Sequence, residues 1–277
     1  MMNALVAPYF SFAPYFSFAR CAFLKMLAYR LRYYTGIFTY LIFVSVYHYI
    51  WKAVYSSQPE GALIGGFTFS EMVTYVALGW IARSFYFSNI DSDIDDLVRS
   101  GRISSFLLRP VSFQLLFYSQ AFGESLFRLF FFSLPVGAVL ILIYPIQLPS
   151  QSLHLFFFCL SSFLGFLVLV ALNFIIGLSA FFFHSIDGII RAKHNFLMLL
   201  SGLLLPMSFF PEGVRTVLGW LPFQAISYVP LAVYLGKYPD SELVSVVVQQ
   251  LVWFVGLSFL GQFMWRRAMA SLTVQGG

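Results

Sequence analysis

"LHLFFFCLSSFLGFLVLVALNFIIGLSAFFF", residues 153–183, runs for 31 positions without an Asp, Glu, Lys or Arg. A transmembrane helix needs about 20 mostly apolar residues, so this segment is long enough to cross a bilayer. At about 1.5 Å per residue it would reach about 45 Å, against a hydrocarbon core of about 30 Å. We therefore expect a membrane-spanning helix that tilts or projects beyond the bilayer.

The composition of the whole chain supports the same class. Its 277 residues are 60% hydrophobic, 20% aromatic and 10% charged, with a mean hydropathy of +0.84. Soluble domains are about 45–50% apolar and about 25% charged. The sequence therefore predicts an all-α integral membrane protein. In such a protein the positions of the basic residues along the chain matter more than the net charge of +5, and we expect no nucleic acid as a partner.

Six segments are apolar enough for spans, and the fifth is short because it ends at Pro206 and Pro211. The predicted spans are about 35–55, 64–88, 116–144, 153–183, 194–210 and 243–265.

The distribution of basic residues predicts the orientation. With the N-terminus in the cytoplasm, twelve Lys and Arg residues fall on the inside and three fall on the outside. Cytoplasmic loops carry the excess of Lys and Arg in membrane proteins. We therefore expect both termini and the loop 91–112 to face the cytoplasm.

Two regions are neither spans nor simple loops. Residues 18–34 place Phe23, Leu24, Leu27 and Leu31 on one helical face, which predicts a basic helix in the membrane interface. The alternative is an inward extension of the first span. Residues 211–239 are apolar but interrupted by prolines, which predicts short re-entrant helices in the outer leaflet. The alternative there is an ordinary external loop.

Four polar residues within the predicted spans are candidates for a substrate path. Glu124 and Arg128 are spaced i, i+4, which favours a structural ion pair over a transport role. Glu71 lies near the outer end of the second predicted span. The sequence favours neither a role in the substrate path nor a local structural role for it. The four candidates are Glu71, Glu124, Arg128 and Asn173.

Motifs for covalent chemistry are not found. The chain has no GxxxxGK[ST] phosphate loop, no HExxH or clustered histidines, and no GxSxG nucleophile motif. We therefore expect no catalytic residue, no metal site and no nucleotide site in this chain.

The loop 91–112, "DSDIDDLVRSGRISSFLLRPVS", holds seven of the 27 charged residues. Asp93 is a suitable helix cap, Asp95 and Asp96 fall in the first turn, and Arg99 and Gly101 end the helix. Ile94, Leu97 and Val98 form one apolar face. This pattern predicts a docking surface for a partner, and the alternative is a helix packed only on its own bundle.

Three stretches carry a resemblance to a known family. "LVRSGRISSFLLRPVS" (97–112), "LLPMSFFPEGVRTVLGWLPFQAISYVPLAVYLGK" (204–237) and "MWRRAMASLTVQGG" (264–277) resemble the type-2 ABC transporter permeases, in the bacterial branch with free-standing membrane subunits. The resemblance runs through essentially the whole chain.

The resemblance implies one transmembrane domain over residues 1–277, with an N-terminal connecting helix and a coupling helix seated on a separate ATPase. It implies two ATPase copies that bind ATP and Mg²⁺, a second permease that is identical or paralogous, and a bacterial cytoplasmic membrane. The expected coupling residues are Asp93, Ile94, Asp95, Asp96, Leu97, Val98, Arg99, Arg102 and Arg109.

The predicted function is the permease of an ATP-driven exporter for an amphipathic or lipid-like substrate. Two other classes stay open from the sequence. One is an ion-coupled secondary transporter that uses Glu124 and Arg128, although no inverted repeat of broken helices supports it. The other is a membrane-embedded lipid-modifying enzyme, which would need a converging catalytic set.

Overall fold

The computed structural model describes residues 12–29, 31–149 and 151–271. Within these ranges the side chains are described as well, except those of residues 31–35 and Ser271. The described residues form helices and no strand, so the predicted all-α class is confirmed. The helices are α1 (Ala13–Ala28), α2 (Leu31–Ser56), α3 (Phe69–Tyr86), α4 (Ile90–Arg99), α5 (Ile103–Leu107), α6 (Phe113–Arg128), α7 (Leu134–Ile143), α8 (Ser152–Leu178), α9 (Asp187–Leu200), α10 (Glu212–Gly219), α11 (Tyr228–Tyr234) and α12 (Leu243–Ser271).

Four helical segments of the described chain are long and apolar enough to cross a membrane. They are Gly36–Ser56, Phe113–Ile143, Ser152–Phe181 and Asp240–Ala270. The second contains α6 and α7, joined by a π-helical turn at Leu129–Ser133. This turn precedes Pro135, whose missing N–H removes one bond of the regular α-helical ladder.

The predicted count of six spans is not confirmed, because α3 and α9 do not meet both the length and the apolarity requirement. The helix predicted over 194–210 ends at Leu200. Its 14 residues reach about 21 Å, which is short of a hydrocarbon core of about 30 Å. The chain then turns at Gly202, whose φ of +81° disfavours any residue with a side chain.

Helix α3 lies at the centre of the bundle, in contact with α2, α6, α7, α8 and α11. Ten of its 18 residues are buried. The hydroxyl of Tyr75 donates to the carbonyl oxygen of Gly202, and Tyr86 Oη lies 2.6 Å from Ser227 Oγ. These two bonds fix the chain between α9 and α11 against the centre.

Helix α1 packs along α6, with Ala22 and Met26 buried. The helix begins at Ala13, earlier than the predicted start at 18, and ends at Ala28 before α2 begins. Leu24, on the predicted apolar face, is 46% exposed in the chain. Residue 30 and the side chain of Leu31 lie outside the described residues, so the far end of that face is not described.

The proline-rich region before α12 forms a 3-10 turn at Met207–Phe209, then α10 and α11. Helix α10 is mostly exposed, whereas six of the seven residues of α11 are buried. Helix α11 contacts α8 and α3, and Gly165 of α8 allows the backbone at Ala225 and Ile226 to approach closely. The depth of this region in a membrane stays a prediction.

The contact between α1 and α6 gives a first testable prediction. A Cβ atom at Gly123 would overlap the carbonyl oxygen of Ala19, whereas a Cβ atom at Gly256 of α12 would meet nothing within 4 Å. We expect Gly123→Ala to lower the free energy of unfolding by about 1–3 kcal/mol, the usual range for overpacking. Gly256→Ala, the matched control, should be neutral or slightly stabilising.

Thermal and chemical unfolding of the purified chain in detergent measures both variants. Equal stability of the two variants would show that α1 does not rest on α6 through this contact.

Candidate functional site: the α3–α4 junction

Helix α4 begins one turn earlier than the sequence predicted. Its N-cap position is Asn89, and no side chain caps the first turn. The predicted cap at Asp93 was wrong, because the backbone N–H of Asp93 already donates to the carbonyl oxygen of Asn89 inside the helix, at 3.0 Å. The Asp93 carboxylate instead accepts a hydrogen bond from Gln120 of α6, at 2.6 Å.

The apolar face of α4 is turned into the protein. Ile94 is 0% exposed and Leu97 is 8% exposed, and both belong to the core that surrounds α8. Gly177 of α8 makes this close packing possible, because a Cβ atom there would lie 2.8 Å from Ile94 Cδ1. The prediction of an exposed apolar docking stripe was therefore wrong for Ile94 and Leu97, whereas Val98 is only half-buried.

A buried ion pair joins α4 to α9. Lys193 Nζ lies 2.5 Å from Asp91 Oδ2 and 2.8 Å from Asn173 Oδ1. Asn173 Nδ2 in turn donates to the carbonyl oxygen of Ser88, at 2.9 Å. The side chains of Asp91 and Lys193 are 1% and 12% exposed, so this pair is almost wholly removed from water.

A second polar network joins α4 to α6. Gln120 donates to Asp93 and, at 3.2 Å, to Glu124. Glu124 forms an ion pair with Arg128 at 3.1 Å, and both are buried. Arg128 also donates to the carbonyl oxygen of Phe87 and lies over its ring, 5.5 Å from the centroid. Burial, followed by the charge of Glu124, raises the pKa of Asp93.

Both networks end on the backbone from the last turn of α3 to the start of α4. The carbonyl oxygens of Phe85, Phe87 and Ser88 accept hydrogen bonds from Ser125, Arg128 and Asn173. Three side chains on two helices thus hold this short junction. A displacement of α4 would break bonds to α6, α8 and α9, so α4 is mechanically joined to all three helices.

The other predicted coupling residues lie at the far end of α4 and beyond it. Asp95 is buried, and its Oδ2 lies 3.5 Å from Arg99 Nη1. Arg99 is half-exposed and also approaches Asp187 of α9, at 3.6 Å. Asp96, Arg102 and Arg109 are exposed.

The tip of the loop, residues 99–110, carries the exposed apolar side chains of this region. Leu107 is 42% exposed and Leu108 is 87% exposed, next to Arg109. The guanidinium group of Arg109 lies over the rings of Phe106 and Phe18, at 4.5 and 5.8 Å from their centroids. The tip therefore presents two leucines beside basic groups.

Glu71 has a separate, local set of contacts. It forms a capping box with Thr68 at the start of α3, and its carboxylate lies 2.7 Å from Lys237 Nζ. Lys237 also donates to the carbonyl oxygen of Gly66, at 2.9 Å. Glu71 thus ties α3 to the loop after α11, and its described contacts do not include Glu124, Arg128 or Asn173. Among the described residues no group of three His, Cys, Asp or Glu side chains could hold a metal ion.

Sequence reasoning missed Gln120, Ser125 and Lys193 as members of this site. Gln120, Glu124 and Arg128 follow one another at intervals of four residues on α6. This spacing could have predicted that Gln120 contacts Glu124. Lys193 is 102 residues from Asp91, and no local pattern points to their contact.

A sequence model of the family described as ABC-2 family transporter protein matches residues 41–276. The match covers most of the chain, and the chain therefore belongs to this family. A search of curated proteins gave no match. The predicted resemblance to the type-2 ABC permeases is confirmed. The protein is a transport membrane subunit of the ABC-2 class and is not itself the ATPase.

The ion pair between Asp91 and Lys193 gives a second testable prediction. Lys193→Met leaves the Asp91 carboxylate buried without its cation, and we expect a loss of about 3–5 kcal/mol in the free energy of unfolding. The double variant Asp91→Asn with Lys193→Met removes both charges and should lose clearly less than the single variant. Lys52→Met, an exposed lysine of α2, is the matched control and should change little.

Unfolding of the four proteins in detergent measures the differences. If the single and double variants lose the same stability, the two charges are not energetically coupled.

Proposed function

We propose that the chain is the permease subunit of an ATP-driven ABC exporter and that the tip at residues 99–110 contacts a separate ATPase subunit. The single observation that supports this proposal is the double role of the segment from α4 to α5. Its inner side is bonded to α6 and α9 and packs on α8, whereas its tip is exposed and carries leucines and arginines.

A coupling element must meet two requirements. It needs a surface that a partner can bind, and it needs a rigid connection to the helices that move during transport. Leu107, Leu108, Arg102 and Arg109 meet the first requirement. The junction at Phe85–Asp91 meets the second, because it is held from two sides.

The proposed assembly has two permease subunits, identical or paralogous, and two ATPase subunits that bind ATP and Mg²⁺. Closure of the ATPase pair on ATP would push the two tips. The junction would pass this displacement to α6, α8 and α9, and access to the path would switch from inward to outward. Hydrolysis would return the assembly to the start.

The proposed substrate is amphipathic or lipid-like. An apolar groove of about 560 Å³ lies between α1, α6 and α8, lined mainly by aromatic and aliphatic side chains. Such a lining favours alkyl or aromatic groups over a sugar or an ion, because transfer of apolar surface from water into it is favourable.

The exposed leucine at the tip allows a test of the ATPase contact. Leu108→Asp should reduce co-purification of the ATPase about tenfold or more, because buried apolar anchors dominate interface free energies. The fold should be unaffected, since Leu108 is 87% exposed in the chain. Leu63→Asp, at a 66% exposed leucine in the loop before α3, is the matched control and should leave co-purification unchanged.

Leu97→Asp is unsuited to this purpose, because Leu97 packs on the protein's own core. A Leu108→Asp protein that recovers a full complement of ATPase and transports at the wild-type rate contradicts the docking role of the tip.

The orientation is tested by site-directed labelling. Ser100 and Ser241 are both exposed and lie near opposite ends of the proposed bundle. In a chain with Cys21→Ser and Cys159→Ser, Ser241→Cys should react with an impermeant maleimide in intact cells. Ser100→Cys should react only after the membrane is permeabilised. Labelling of Ser100→Cys in intact cells would overturn the cytoplasmic location of the tip.

A further inference from the structure

A cavity of about 330 Å³ lies between α3, α8 and α9, beside the α3–α4 junction. At about 30 Å³ per water molecule, it has room for roughly ten waters, which is more than a structural water site needs. One side is open, since Asn89, Arg191 and Asn195 on its wall are exposed. The polar side chains on its wall include Arg83, Ser88, Arg191 and His194.

The wall of the cavity carries an uncompensated positive charge. Its lining includes Arg83, Arg191 and Lys193 but no Asp or Glu. Lys193 is neutralised by Asp91 behind the wall. Within the described chain, neither Arg83 nor Arg191 has a carboxylate within the 4.0 Å of an ion pair.

His194 orients one of these charges without adding another. Arg83 Nη2 lies 3.0 Å from His194 Nε2. A guanidinium group has only donors, so the imidazole nitrogen must accept, and His194 is neutral with its proton on Nδ1. Trp80 also packs on Arg83, with its ring centroid 5.7 Å away. Arg83 is therefore held in place as a cation at the cavity.

A buried hydroxyl on the same wall lacks a partner. Ser88 is 4% exposed, and its Oγ has no hydrogen-bond partner within the described chain. A buried hydroxyl without a partner is destabilising, so an acceptor in the cavity that bonded to it would relieve this cost. Ser88 Oγ is itself covered, so it donates to an acceptor in the cavity after rotation about χ1, whereas the two guanidinium groups belong to residues that line the cavity.

We propose that this cavity binds a phosphate group, and that an anionic membrane phospholipid supplies it. A phosphodiester presents its charged and ester oxygens in a tetrahedral arrangement, so it can accept from Arg83, Arg191 and Ser88 from different directions. The two oxygens of a carboxylate accept close to one plane. Arginine binds phosphate with paired, charge-assisted hydrogen bonds. The cavity lies at the same end of the bundle as α4, the predicted cytoplasmic end, where basic pockets between helices meet lipid headgroups.

The cavity belongs to the permease chain alone, so phosphate binding there does not depend on the proposed ATPase contact. Occupancy would place a ligand directly against the junction that holds α4. A bound headgroup would then stabilise one position of α4 relative to α9.

The test measures the unfolding temperature of the full-length chain in a neutral detergent, after removal of native lipid. Three additions are compared: phosphatidylglycerol, a diacylglycerol with the same acyl chains, and inorganic phosphate at constant ionic strength. A ligand that binds only the folded state raises the unfolding temperature with its concentration. We expect phosphatidylglycerol to raise it and diacylglycerol to leave it unchanged.

Three variants locate the binding site. Arg191→Gln and Ser88→Ala should each raise the half-saturating concentration of phosphatidylglycerol, the first by about tenfold or more. Ser88→Ala should not reduce stability without lipid, because it removes an unpartnered hydroxyl. Arg266→Gln, at an exposed arginine of α12 outside the cavity, is the matched control and should respond like the wild type.

The outcomes separate the two phosphate sources. A response to phosphatidylglycerol alone supports the lipid headgroup, whereas an Arg191-dependent response to inorganic phosphate supports the same site with a soluble phosphate. Equal responses to phosphatidylglycerol and diacylglycerol would overturn the proposal, since the acyl chains would then account for the effect. Unchanged lipid affinity in Arg191→Gln would overturn it as well, as would the lack of any response in the wild type.

Discussion

The buried ion pair between Asp91 and Lys193 constrains the rest of this structure. Two charges removed from water are costly, and their mutual attraction compensates only when the geometry is good and the remaining polar groups are bonded. Here Lys193 also bonds to Asn173, which in turn bonds to the backbone at Ser88, whereas Asp91 Oδ1 has no partner within the described chain. The start of α4 must therefore stay where α8 and α9 supply these partners.

This constraint makes α4 part of the bundle and distinguishes it from a flexible loop. Ile94 and Leu97 pack on α8, and Asp93 is bonded to Gln120 of α6. Because the same short backbone segment accepts bonds from Ser125, Arg128 and Asn173, a force on the tip would reach α6 and α8 together. Such a connection suits the coupling to a separate ATPase that we propose for this transport subunit.

Hydropathy alone was enough to predict the membrane class, because apolar length is a local property of the sequence. The Glu124–Arg128 contact was equally accessible, since a helix brings residues four apart together. The amphipathic pattern of α4 was also visible, but a stripe of apolar residues does not reveal whether its partner is another protein or the same chain. Gly177, which allows α8 to receive Ile94, lies 83 residues away from it. The helix predicted over 194–210 failed for a local reason, because Gly202 takes a left-handed conformation that ends it.

The charged residues between residues 91 and 112 have two separate roles, attachment of the segment to the bundle and formation of an exposed basic surface. Asp91 and Asp95 are one helical turn apart and both are buried, where Asp91 binds Lys193 and Asp95 approaches Arg99. The charges that stay exposed are mainly basic: Arg99, Arg102 and Arg109 against Asp96. Asp91 and Asp93 thus hold the segment to its own bundle, through Lys193 and Gln120, and the arginines remain at the surface. A partner that recognises this tip should therefore offer an acidic rim around an apolar depression for Leu108, because opposite charges across an interface guide association and an apolar centre stabilises the complex.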